Sequence, residues 1–208
     1  RKNTYSPNQG YGLDFSLKKA SSRIMGRFDY LKVELDSYKN SKVGPFSLFS
    51  RLRLESIEGE YPNQDSLGIF DIPNFYVAGV STPGREYMSP RGYIKRPWSK
   101  YKTGTRAMMA TLELRTSALP VSIFEVLKIF KIGMPSLVIF ADIGNAWTNI
   151  FDLNKSVTTS GAEIRFSFNI ISEPLFIFSY GWAQDVEKWA KNSNIPEPYL
   201  QLSLVNSF

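Results

Sequence analysis

The chain has no histidine and no cysteine. Those two absences remove the commonest general base, the thiolate nucleophile, thiolate metal sites and any disulfide framework. An enzyme working with carboxylates alone remains open, but neither an enzymatic activity nor a cofactor is expected. Long apolar runs are lacking too. Nowhere do about 18 apolar residues follow one another, so no transmembrane helix is expected. That leaves β-barrel strands untouched, because their alternating signal is much weaker than that of a helix. The opening RKNTYSPNQG holds neither a methionine nor a signal-peptide apolar region, and the chain reads as a piece of something longer.

What is present amounts to 208 residues, enough for one domain with a sizeable core. The net charge of +6 comes from 25 Lys and Arg against 19 Asp and Glu. These charges are dispersed, which fits a solvated basic surface and not a nucleic-acid partner. Eight segments alternate with period two and read as strands. They are GLDFSLKKAS, FDYLKVELDSY, FSLFSRLRLES, RAMMATLELRT, SLVIFADIGNAW, AEIRFSFNI, LFIFSYGWA and YLQLSLVNSF. In the second, Leu31, Val33 and Leu35 alternate with Lys32, Glu34 and Asp36. In the fifth, Asp142 shares a side with Val138, Phe140 and Gly144.

Strands of this kind, without a βαβ rhythm, make an antiparallel sheet that closes or packs. A soluble barrel or sandwich turns the apolar faces inward, while a membrane barrel turns them toward lipid. Alternation is the same in both. Two features favour the membrane. Strands of about ten residues, at ~3.3 Å per residue and a ~40° tilt, cover roughly 25 Å, the height of an apolar band. Aromatic residues also crowd strand ends, as Trp147, Tyr180, Trp182 and Tyr199 do, where interfacial girdles sit.

Two stretches stand apart. Pro120 to Gly133 has a helical period, with Ile123, Val126, Leu127 and Phe130 on one side, and predicts a short amphipathic helix at a membrane interface or against a core. A helical turn also fits AQDVEKWAKNS, until Pro196. A long Pro-, Gly- and Ser-rich segment, about 57–104, holds SPRGYIKRPW, which carries three cations (Arg91, Lys95 and Arg96) and no anion. Long loops without regular structure of their own are uncommon and usually functional or disordered.

The order of motifs carries a resemblance. SPRGYIKRPW, then TLELRT, VIFADIGNAW and SGAEIRFSF, and a chain ending on Phe208, together resemble the C-terminal half of the bacterial surface antigen superfamily. That superfamily comprises outer-membrane protein insertases and two-partner secretion transporters. SPNQGYGLDFSL is similar to its P-x-x-G strand entry, and the likeness covers nearly the whole chain. The paired glycines before the family's Arg-Gly motif are represented only by Ala78-Gly79 and a spacer with Gly84, Pro90 precedes Arg91, and Asn206 interrupts the last strand.

The resemblance implies an antiparallel transmembrane β-barrel of about sixteen strands, with this chain, residues 1–208, supplying the C-terminal eight or so. It implies that the long loop enters the barrel lumen, where Arg91 meets the carboxylates of Glu113 and Asp142. Gly92 then permits a close backbone approach, and Tyr93 packs on the wall. Arg115 and Arg165 are the alternative partners of Glu113. The last strand, with Leu200, Leu202, Leu204 and the terminal Phe208, is implied to be an assembly signal. The implied setting is the outer membrane of a Gram-negative-type envelope. The implied partners are its lipid, unfolded outer-membrane or secreted protein clients, and barrel strands or subunits outside this chain. The function implied is insertion, assembly or translocation of proteins there. A barrel that anchors, or serves as conduit for, an N-terminal enzymatic or binding domain is the alternative within the family, and a soluble ligand-binding β-barrel the alternative outside it.

Overall fold

The computed structural model describes residues 9–21, 27–61, 67–69, 102–116, 125–126, 130–132, 135–169, 175–185 and 197–205. Each alternating segment is a strand, because side chains of opposite polarity leave a pleated backbone on opposite sides. In chain order the strands are β1 (Gly10–Ala20), β2 (Asp29–Val43), β3 (Phe46–Glu60), β4 (Leu67–Ile69), β5 (Lys102–Gly104), β6 (Arg106–Thr116), β7 (Glu125–Val126), β8 (Phe130–Ile132), β9 (Ser136–Trp147), β10 (Val157–Asn169), β11 (Leu175–Asp185) and β12 (Glu197–Val205). The long strands form one antiparallel sheet in the order β1-β2-β3-β6-β9-β10-β11-β12. Among the described residues no ladder joins β1 to β12, so the sheet is open and not closed into a barrel. No helix among them is long and apolar enough to cross a membrane.

The strands run further than their alternation suggests. Residues 39–43, expected in a connection, belong to β2, and the turn to β3 shrinks to Gly44 and Pro45. Gly44 has φ 60°, the left-handed value that a tight hairpin asks of its first central residue. β3 likewise continues past Ile57 to Glu60. The long loop therefore begins later than residue 57, and it carries regular structure at its base, where β4 and β5 pair antiparallel.

The helix expected over 120–133 is not what the described residues form. Glu125–Val126 and Phe130–Ile132 are strands that pair with each other. β10 outruns β9, whose last partner is Ser136 opposite Arg165, and β8 takes up the exposed ladder at Phe168 and Asn169. Unpaired backbone groups on β10 outweigh the helical spacing of a segment rich in β-branched and aromatic residues. For AQDVEKWAKNS, Ala183–Asp185 is in β11 and the rest lies outside the described residues.

Register aligns the strand faces across the whole sheet. Phe15 lies opposite Leu35, Leu35 opposite Leu54, and Leu54 opposite Met108. Leu114 lies opposite Ile139, Ile139 opposite Ala162, Ala162 opposite Tyr180, and Tyr180 opposite Leu200. This apolar face is the exposed one: Leu13 is 66% accessible and Ile139 63%, with Phe15, Leu112, Ile164 and Leu200 also exposed. The opposite face carries Glu113, Asp142, Thr159 and Glu163, all buried. Gly161 and Gly181 face each other on the polar side, so close that a Cβ on either would meet the backbone of the neighbouring strand.

Candidate functional site

The polar face holds a chain of interacting side chains that runs from β1 to β10. It begins at Gly12 on the edge strand, where the Tyr38 ring occupies the space a Cβ would need. Tyr38 stacks on Phe49 of β3, with centroids 6.4 Å apart and planes at 28°. The Arg115 guanidinium lies 4.0 Å from the Phe49 centroid, a cation–π contact. Arg115 Nε donates to Glu113 Oε2 at 2.6 Å, and Arg165 Nη2 donates to Glu113 Oε1 at 2.9 Å. Arg165 also donates to Glu163 Oε2, from Nε at 2.9 Å and from Nη2 at 2.5 Å. Glu113 is 4% exposed, yet both of its oxygens accept charge-assisted hydrogen bonds. The two carboxylates and two guanidinia cancel formally, which is how a buried ionic cluster avoids a ruinous desolvation cost.

Asp142 lies further along the same face, 3% exposed, with Thr159 Oγ1 donating to its Oδ2 at 3.4 Å. A second network joins β1, β2 and β3. Lys32 pairs with Glu34 at 2.5 Å and with Glu55 at 3.4 Å, while Lys18 reaches Glu34 at 3.3 Å. Asp36 accepts from Arg51 and lies 3.3 Å from Arg53. Together the two networks make one side of the sheet a charged, mutually neutralised lining. Such a surface suits hydrated or charged groups passing along it, or a segment that docks by ion pairing.

The two carboxylates singled out in the sequence, Glu113 and Asp142, do share the polar face, and both are buried. Glu113 takes the partners named as alternatives, Arg115 and Arg165. Arg91, Gly92 and Tyr93 lie outside the described residues, as does Phe208. In β12, Leu200 is exposed on the apolar face, and Leu202 and Leu204 hold the positions opposite Phe178 and Phe176. Sequence reasoning did not single out Glu163 or the network around Lys32 and Asp36. Their alternation marked the face, but which charge meets which depends on register between strands.

The base of the long loop is fixed to this same side. Leu67 of β4 is buried against Ile57 and Ala107, which occupy polar-face positions near the ends of β3 and β6. The Ile57 N–H donates to the Thr105 carbonyl at 2.8 Å. Gly104 lies so near Trp147 that a Cβ would stand 2.3 Å from its carbonyl oxygen. The loop therefore leaves and returns on the side that carries Glu113 and Asp142.

Comparison with protein-family models and with curated proteins finds no match to this chain.

Proposed function

We propose that this sheet is the wall of an outer-membrane β-barrel, the C-terminal half of a barrel of the bacterial surface antigen type that inserts, assembles or translocates proteins. One observation carries the reading: large apolar side chains of one face are exposed, while Glu113, Asp142, Thr159 and Glu163 of the other are buried. Full burial of one large apolar side chain contributes roughly 1.5–3 kcal/mol. A sheet leaving Leu13, Phe15, Leu17, Leu112, Ile139 and Ile164 in water forgoes that repeatedly. Lipid restores it. A soluble ligand-binding barrel would turn these residues inward, so their exposure speaks against that alternative.

The mode of action follows from the margins. β1 and β12 each have a single strand neighbour among the described residues, leaving rows of main-chain donors and acceptors. Such an edge accepts further barrel strands or the strand of a client by β-augmentation. The step needs no chemistry, which suits a chain without histidine or cysteine. The absence of cysteine also makes the test clean. Single labelled cysteines at Leu13 and Ile139 are expected to be quenched by acyl-chain nitroxides in vesicles, and one at Thr111 by a water-soluble quencher. Labels at Leu13 and Ile139 shielded from lipid would end the membrane reading.

Within this reading the long loop docks on the polar face, with Arg91 donating to Asp142 and Glu113. The side on which the loop's base is packed supports it, as does the burial of both carboxylates. A double-mutant cycle of Arg91→Ala with Asp142→Ala is expected to give a coupling of ~0.5–3 kcal/mol, the range for residues in contact. A coupling indistinguishable from zero would place Arg91 elsewhere.

A further inference from the structure

The apolar face is not uniformly bulky. A groove of about 630 Å³ crosses β2, β3, β6, β9 and β10, following the register from strand to strand. In each strand its lining is three consecutive residues, one from the polar face and the two apolar-face positions that flank it, as with Asp142 between Ala141 and Ile143. The next positions along the polar face, such as Phe140 and Gly144, take no part. Asp142 and Thr159 are only 3% and 2% exposed, whereas Leu112, Ala141 and Ser160 are exposed. The groove therefore opens on the apolar face, as a trough between two rows of outward side chains. Small residues deepen it, because Ser37, Ser50, Ala110, Ala141 and Ser160 fall among larger neighbours in those rows.

One end of the trough is charged. Lys39 is the one lining residue with a charge at an outward position among the described residues. Tyr11, 87% exposed, lies opposite it on β1, and Ser50 lies opposite it on β3. None of the neighbouring outward positions on these three strands holds a carboxylate. β2 has 15 residues, more than the ~9–11 a tilted strand needs to cross the apolar core, so Lys39, four residues from the Val43 end, lies near one margin. From there a lysine stem runs along apolar surface and its ammonium reaches headgroup level. We propose that the trough holds one acyl chain of a phospholipid with a net anionic headgroup, whose phosphate pairs with Lys39. The inference rests on the barrel-wall reading, which turns this face to lipid.

Shape and chemistry select that occupant. The two outward rows stand two residues apart along each strand, ~7 Å, which is too narrow for a helix of ~10 Å diameter. An extended peptide would find no backbone partners, since the ladders of these five strands are already paired on both sides. A methylene chain needs neither width nor hydrogen bonds. Four interstrand spacings give the trough a length of ~19 Å. At a strand tilt of ~40° it runs obliquely, so a chain lying in it stays within the ~15 Å of one leaflet. The cation at its end then meets the phosphate of the same lipid, and the lack of a nearby carboxylate favours a headgroup with net negative charge.

The test uses the full chain in phosphatidylcholine vesicles. A fluorophore is carried by a single cysteine at Ile139, beside the trough, or at Leu200, on the same face of β12 and away from it. The probes are dibrominated phosphatidylglycerol and dibrominated phosphatidylcholine, each added as a minor fraction, with bromine quenching as the readout. At Ile139 the phosphatidylglycerol probe is expected to be favoured over the phosphatidylcholine probe roughly fivefold, the worth of one lysine beside an anionic lipid. At Leu200 the two probes should quench equally. Lys39→Gln should abolish the preference at Ile139, Lys39→Arg should keep it, and Ala141→Phe, which fills the trough, should abolish it with Lys39 in place. Equal quenching by both probes at Ile139, or a preference untouched by Lys39→Gln and Ala141→Phe, overturns the proposal and leaves the barrel-wall reading standing. Ile139 shielded from both probes while Leu200 is quenched would place protein in the trough, a second copy of the chain included, and also overturns it. Shielding at both positions removes the barrel-wall reading and this proposal with it.

Discussion

Glu113→Ala is expected to destabilise the folded sheet by ~3–5 kcal/mol, the cost of removing one partner from a buried ion pair. The size follows from what is left behind. Arg115 would lose the Glu113 carboxylate while its contact with the Phe49 ring remains, and Arg165 would lose one carboxylate while its bonds to Glu163 remain. Side-chain accessibilities of 11% and 14% leave little water to replace the lost acceptor. Urea unfolding of the reconstituted protein measures the effect. Arg115→Met added to Glu113→Ala should recover part of it, because the cation that lost its carboxylate is then gone while Arg165 and Glu163 still pair. A single variant within about 0.5 kcal/mol of wild type would mean that the cluster is hydrated and contributes little.

Leu112→Arg is expected to cost ~2–4 kcal/mol in lipid vesicles, the penalty for a cation at the middle of a lipid-facing strand. Leu112 is the position to use because it lies well inside β6, a central strand, and points out on the apolar face. Glu58→Arg, near the end of β3 and also exposed, serves as the control and should cost only ~0–1 kcal/mol. On a face bathed by water, the two substitutions would differ little, and Leu112→Arg would stay within about 0.5 kcal/mol. That outcome would remove the main support for the barrel-wall proposal.

Much of this architecture could be read before any coordinates, and the reason is geometric. A strand has period two, so Leu31, Val33 and Leu35 had to share one face and Lys32, Glu34 and Asp36 the other. What alternation does not contain is which face ends up covered. That depends on how neighbouring strands align and curl, and here it is the charged side that is buried. Pairing partners were out of reach for the same reason. Glu113 and Arg165 are 52 residues apart, and a register shifted by two would give each another neighbour. The misread helix shows the limit from the other side. Ile123, Val126, Leu127 and Phe130 satisfy helical spacing, but the free ladder on β10 gave the chain around Phe130 a better use for its backbone.

Arg165 belongs to β10 but pairs with Glu113 on β6, so its guanidinium spans β9, whose Val138 and Phe140 are buried on that side. β9 is thus tied twice, by its own ladders and by a strap that contains none of its residues. Under a pulling force the strands should not yield alike. β1, held along one margin, should peel first, and β9 cannot come away until the bond between β6 and β10 has broken. Amide protons of Val138 and Phe140 should accordingly be among the last to exchange with deuterium. The centre of the sheet is expected to stay shut, with any parting of the strands beginning at its margins.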